Sequence, residues 1–205
     1  MTERGRPRAF DRDRALRRAM ELFWSKGFDS TSLADLTATM GINAPSLYAA
    51  FGSKERLFIE ALDLYSASEG TEIWSPLDSM PTARAAVEHI LVASADAFSQ
   101  PGKPQGCMIA LEALHAGATS QKVCGILRDH RAWNFRSIEE RIRKAVETGE
   151  LPETLDIASV ANFYATVQHG MSIFARDGAS REQLQAVAAG AMTAWEGLTR
   201  TASKN

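Results

Sequence analysis

Residues 32–51 read SLADLTATMGINAPSLYAAF, and the fold turns on what that stretch forms. Ser32 suits a helix N-cap, and Asp35 three residues later resembles the reciprocal half of a capping box. Leu33, Leu36 and Met40 recur on one helical face. Gly41 stops that helix, because glycine enters the left-handed region without steric cost. Asn43 caps a second helix whose first turn tolerates Pro45. Leu47 and Phe51, four apart, hold this helix to the rest and leave Ser46 and Tyr48 pointing away. Two structures fit these residues: a helix-turn-helix that reads DNA, or an ordinary helical hairpin.

Composition narrows the choice. The chain has 205 residues, 45% hydrophobic and 23% charged, which fits one or two globular domains with a real core. Its net charge of -2 hides an asymmetry. Residues 1–18 hold seven arginines against three acids, whereas residues 61–205 hold 13 basic and 17 acidic residues. A basic end on a mildly acidic body fits a local polyanion contact, although a solvated tail has the same composition. There is no apolar run of the signal-peptide kind at the start and no segment apolar enough to span a bilayer, so the expected compartment is the cytoplasm, without membrane contact. Cys107 and Cys124 are too few for a disulfide framework and are expected as free thiols.

Outward from residues 32–51, the flanks are also helical. Residues 1–9 are polar and basic, broken by Gly5 and Pro7, and read as a flexible arm. Asp11 caps a helix to about Lys26, with Leu16, Ala19, Met20 and Phe23 on its buried stripe. Gly27 ends it and Phe28 acts as a hydrophobic clasp. Ser53 caps the next helix, which runs to about Ser68 with Leu57, Phe58, Ala61, Leu62 and Tyr65 at 3–4 spacing. Residues 70–81 read as loop. Further helices are expected near 82–98, 107–115, 120–148, 154–175 and 180–199. With neither alternating strand patterns nor internal repeats, the predicted class is all-α, with about nine helices. The boundaries fall at an arm, 1–9, a helix-turn-helix domain, 10–52, a connecting helix, 53–69, and a second helical domain, 70–205.

With the flanks included, residues 4–60 resemble the DNA-binding domain of the tetracycline-repressor (TetR) family of bacterial transcription regulators. The resemblance rests on Phe23 before Gly27-Phe28, on Thr31-Ser32, Gly41, Ser46-Leu47-Tyr48 and Phe51, and on Lys54-Glu55-Arg56-Leu57. It covers about a quarter of the chain. It implies an all-helical homodimer bound to a palindromic double-stranded operator and released when a small apolar or electrophilic effector enters domain 70–205. It also implies that the segments 154–175 and 180–199 form the dimer interface.

The expected DNA contacts are Arg4, Arg6, Thr31, Ser32, Asn43, Ala44, Ser46, Tyr48 and Lys54. Asn43 fits either a base edge or a plain cap. Ser46 and Tyr48 discriminate bases poorly and suit phosphates. Thr31 and Ser32 lie where a helix start presents its N–H groups to a phosphate, and Ser32 serves equally as a cap. Arg4-Gly5-Arg6-Pro7-Arg8 resembles the core of an AT-hook, whose arginines enter a narrow minor groove; non-specific phosphate contact fits as well.

The expected effector-pocket residues are Leu62, Tyr65, Phe98, Cys107, Met108, Leu111, His115, Trp133, Phe163 and His169, although apolar residues at helical spacing also serve ordinary packing. Cys107 follows Gly106 at a helix start, where the dipole lowers a thiol pKa. That pair resembles a subgroup of the family that senses oxidants or electrophiles; a small buried apolar role is the alternative. The histidines and cysteines form no close motif, so no metal or cofactor is expected. With no phosphate loop, nucleophile elbow or paired-histidine motif, catalysis is not expected. The rival is a helical small-molecule enzyme or binding protein whose first helices merely pack, which leaves the basic arm and the 4–60 pattern unexplained.

Overall fold

Each early helix begins where a side chain can satisfy its orphan N–H groups. The computed structural model describes residues 11–112 and 120–200; the arm residues Arg4 and Arg6 and the expected pocket residue His115 lie outside them. Asp11 accepts from the Arg14 amide at 3.0 Å and opens α1, Arg12–Lys26. Ser32 opens α2, Leu33–Met40, and Gly41 closes it in the left-handed region at φ 71, ψ 35. Asn43 opens α3, Ala44–Phe51, and Ser53 opens α4, Lys54–Ser68. Phe23, Phe28 and Phe58 form the aromatic centre of this head. The Phe23–Phe58 and Phe28–Phe58 centroids lie 5.0 and 4.9 Å apart, both edge-on.

The body stacks α6, Ala83–Phe98, α8, Gln121–Glu147, α9, Ile157–Arg176, and α10, Arg181–Thr193, with α9 packed on each of the other three. Two short helices punctuate it, α7, Met108–Leu111, and α11, Trp195–Thr199. The hydrophobic interior runs without a break from Phe23 in the head to Trp195 in α11.

Three expectations need correction. Residues 70–81 are not loop throughout. They contain α5, Thr71–Trp74, and a 3-10 turn, Leu77–Ser79, which bury Ile73 and Leu77. Both are too short to show a period. The helix expected from about 154 starts at Ile157, because Asp156 is the residue that caps it, accepting from the Ser159 amide at 3.0 Å. The last expected helix divides at Ala194 into α10 and α11.

Candidate nucleic-acid interface and effector cavity

The helix-turn-helix presents its polar groups from capped, internally packed helices. The α2 cap is reciprocal: Asp35 N–H donates to Ser32 Oγ at 3.0 Å, and Ser32 N–H and Oγ–H donate back to the Asp35 carboxylate at 3.0 and 2.8 Å. The serine contacts, with Lys26 Nζ at 3.2 Å, hold the Asp35 carboxyl down to about 2. In α3, Asn43 Oδ1 accepts from the Ser46 amide at 2.9 Å, which leaves its Nδ2 group facing outward from an exposed residue. Leu47 and Phe51 are buried, while Tyr48 is 47% exposed and Asn43, Ala44 and Ser46 share its open side.

Thr31 has to be withdrawn from the expected DNA contacts. It is fully buried, and its hydroxyl donates to the Gly27 carbonyl at 2.6 Å. It braces the turn between α1 and α2 instead. Lys54, the first residue of α4, holds its Nζ 4.4 Å from the Phe28 ring centroid. Partial burial lowers its pKa, and attraction to Asp29 and Glu112 works against that shift. Pattern reading missed Arg12. Its guanidinium lies over the Phe51 ring at 4.4 Å, donates to the Ala50 carbonyl at 3.3 Å and pairs with Glu60 at 2.6 Å. It fastens the end of α3 to α1 and α4; its cost is legible only once the three helices are assembled.

Behind the head lies a cavity of about 680 Å³, bounded by α4, α5, α8 and the 107–109 segment. Of the expected pocket residues, Tyr65, Phe98, Cys107 and Trp133 line it. Leu62, Met108 and Leu111 are buried in packing away from its wall. Phe163 is 37% exposed on the outer side of α9. His169 lies on α9 with its ring 5.4 Å edge-on from Phe135, its Nε2 buried without a partner among the described residues, and its pKa lowered by burial to about 4. The wall also contains Ser66, Trp74, Asn134 and Gln168. Ile126, His130 and Asn134 repeat every four residues along α8, a signal the expected list passed over in favour of aromatic residues.

Cys107 departs from the expectation of an acidified thiol. It is 7% exposed, and burial pushes its pKa up; a hydrogen bond from Tyr65 opposes this only in part. The helix it starts has four residues, too few for its dipole to prevail over desolvation. Its backbone N–H is held by Ser172 Oγ at 2.8 Å.

The same segment carries the contacts between cavity and head. Trp24 Nε1 donates to the Gly106 carbonyl at 2.9 Å, and its ring meets Tyr65 edge-on at 4.9 Å. Phe28 N–H donates to Glu112 Oε1 at 3.0 Å. Arg176, from α9, donates to the Trp24 and Ser25 carbonyls at 2.6 and 3.3 Å. The end of α1 is thus tied to the 106–112 segment and to α9.

Comparison with known proteins places this architecture. The sequence profile described as bacterial regulatory proteins, tetR family, matches residues 15–61. The transcriptional repressor ComR of Escherichia coli (strain K12) is 35% identical over 201 residues, spanning 96% of this chain and 94% of ComR. This protein belongs to the tetR family of bacterial regulatory proteins. The repressor BdcR of the same strain is 38% identical over 186 residues, 90% of this chain and 89% of BdcR. Among solved structures, a cysteine mutant of the TetR family regulator CifR, complexed with 26-base-pair double-strand operator DNA, superposes with a TM-score of 0.88 at 44% identity. It covers 93% of this chain and all of that one. The helix-turn-helix reading of residues 32–51 therefore holds, and the chain is a DNA-binding regulator of transcription. Among the described residues no helix is long and apolar enough to cross a membrane, and none of their histidine, cysteine and acidic side chains group to hold a metal ion.

Proposed function

We propose that the protein is a homodimeric repressor that holds a palindromic operator in the cytoplasm and leaves it when a small, mainly apolar molecule fills the cavity. The observation that carries this reading is that Tyr65 and Cys107 belong at once to the cavity wall and to the junction with the head. A ligand that displaces them shifts α4 and the 106–112 segment, and with them the end of α1. It acts only by binding the released form more tightly than the DNA-bound form; coupling of about 1–3 kcal/mol weakens operator binding about 5–150-fold.

In this reading Asn43, Ala44, Ser46 and Tyr48 enter the major groove, with Ser32 and Lys54 on flanking phosphates and Arg4 and Arg6 extending the contact. The dimer uses α9 and α10. Phe163, Thr166, Gly170 and Phe174 stand at 3–4 spacing on α9, and exposed Phe163, Phe174 and Val187 supply an apolar face suited to a two-fold four-helix interface. The raised pKa of Cys107 favours reversible binding over thiolate chemistry as the trigger.

Sedimentation at micromolar concentration, with fluorescence anisotropy on DNA flanking the protein's own gene, tests both halves. The expected result is a dimer with saturable, salt-sensitive binding; a monomer, or no preference over unrelated DNA, overturns the proposal. Cys107→Ser should keep effector-dependent release, and loss of release in that variant alone would restore an electrophilic trigger.

A further inference from the structure

We propose that the cavity selects an uncharged molecule, mostly apolar, carrying a hydrogen-bonding group such as a ketone that engages the Asn134 side-chain amide. This rests on the cavity's being the effector site. Asn134 is 5% exposed and lines the cavity from α8, yet its amide makes no hydrogen bond among the described residues. The donor and acceptor of that amide are therefore free to serve a molecule in the cavity. Ser66 lines the same wall from α4, and its buried Oγ has no hydrogen-bond partner among the described residues. Gln168, opposite on α9, directs its Nε2–H to Ser94 Oγ at 3.1 Å, so its position is fixed by the body and not by the cavity.

The rest of the wall excludes a charge. Around these amides and hydroxyls stand Tyr65, Ile73, Trp74, Phe98 and Ile109. Of the titratable lining residues, Asp129 and Arg136 are exposed and opposite in sign, at the rim with Trp133, and His130 is half-buried beside them. Arg131, on the same helix, points its guanidinium to the Ile109 carbonyl at 3.4 Å and is not part of the wall. A carboxylate or ammonium carried inward past Asp129 and Arg136 would lose hydration without meeting a permanent opposite charge, whereas a carbonyl would meet a waiting N–H. The volume of about 680 Å³ suits a ligand of two rings or an equivalent chain.

Three matched probes separate these features: benzophenone, diphenylmethane, which lacks the carbonyl, and diphenylacetate, which is anionic. Each is titrated calorimetrically into the full-length protein without DNA. Benzophenone is expected to bind at least about fivefold more tightly than either of the others, the effect of one neutral hydrogen bond. In Asn134→Leu, which keeps the side chain's size, benzophenone and diphenylmethane should bind alike, with a melting temperature no lower than the parent's. Asn134→Ala removes the amide without bulk and reads the same comparison if leucine does not fit. Tightest binding of diphenylacetate, equal binding of all three, no binding at all, or a ketone preference that survives loss of the amide would overturn the inference. Operator affinity is measured separately. A ketone preference without any change in operator binding upholds this inference and overturns the switch.

Discussion

Gly106→Ala probes the tightest point between cavity and head. Gly106 has φ +77, and an added Cβ would lie 2.5 Å from the Ser172 carbonyl oxygen, 3.0 Å from Leu111 Cδ1 and 3.1 Å from Ser172 Oγ. Two costs follow. Holding a Cβ in the left-handed region costs about 1 kcal/mol. Forcing the added carbon against the α9 backbone costs about 1–3 kcal/mol more, because a helix carbonyl cannot swing aside as a side chain does. Gly102 supplies the control: its φ is +81, but nothing lies within 4 Å of its ideal Cβ. Gly102→Ala should therefore show the first cost alone. In urea denaturation Gly106→Ala is expected to lose about 2–4 kcal/mol against about 1 for Gly102→Ala, a gap of about 2–4 °C in melting temperature per kcal/mol at this chain length. Because the Gly106 carbonyl also receives the Trp24 indole, operator affinity should fall further in Gly106→Ala than in the control. Equal stability losses in the two variants would refute the argument from close approach.

Tyr48→Ala should reduce operator affinity at least about fivefold while changing stability by less than about 0.5 kcal/mol, since the side chain is 47% exposed on the reading helix; a parallel fall in melting temperature would make it a packing residue. Trp24→Phe keeps an aromatic ring against Tyr65 but leaves the Gly106 carbonyl without its donor, so it should cost about 1–2 kcal/mol in chemical denaturation and shrink the effect of an effector on operator binding. Unchanged coupling would remove that bond from the relay. His169 has a folded pKa of about 4 against 6.5 for the unfolded chain, so the unfolded chain binds more protons between those values. Its contribution is constant above pH 6.5 and lost as pH falls towards 4, roughly 2–3 kcal/mol in all. Comparing parent and His169→Gln denaturation across that window should show the parent losing more on acidification; the opposite slope would contradict the assignment.

The head was legible because its signals are local. The Ser32/Asp35 cap, the turn at Gly41 and the Leu47/Phe51 seam each involve residues within four positions, and the structure places all three as expected. The cavity was legible only in part. Tyr65, Phe98 and Trp133 were found as large apolar residues, but composition cannot separate a cavity wall from a core, so Leu62 and Met108 entered on the same ground. Asn134 was missed because a polar residue in a helix normally signals a solvated face, whereas here it is buried in the wall of a cavity formed by residues distant in sequence. The Thr31 contact and the acidified Cys107 thiol failed for one reason, since each was judged by its place at a helix start and packing then buried it; Cys107 as a buried pocket residue held.

The reading helix, Ala44–Phe51, contains no arginine, lysine, glutamine or glutamate. It therefore lacks the forked side chains that reject a wrong base by about 1–3 kcal/mol each. In the proposed reading, what it offers the groove is the Asn43 amide, the Ser46 and Tyr48 hydroxyls and the methyl of Ala44. Methyls suit thymine but penalise its loss gently. A scan of single-base changes across one half-site should accordingly give shallow losses, and a steep loss at one position would contradict this. If the proposed contacts hold, binding sites for such a head can drift in spelling over generations while keeping their occupant, and the genes it governs would be marked more by groove shape and half-site spacing than by any fixed word.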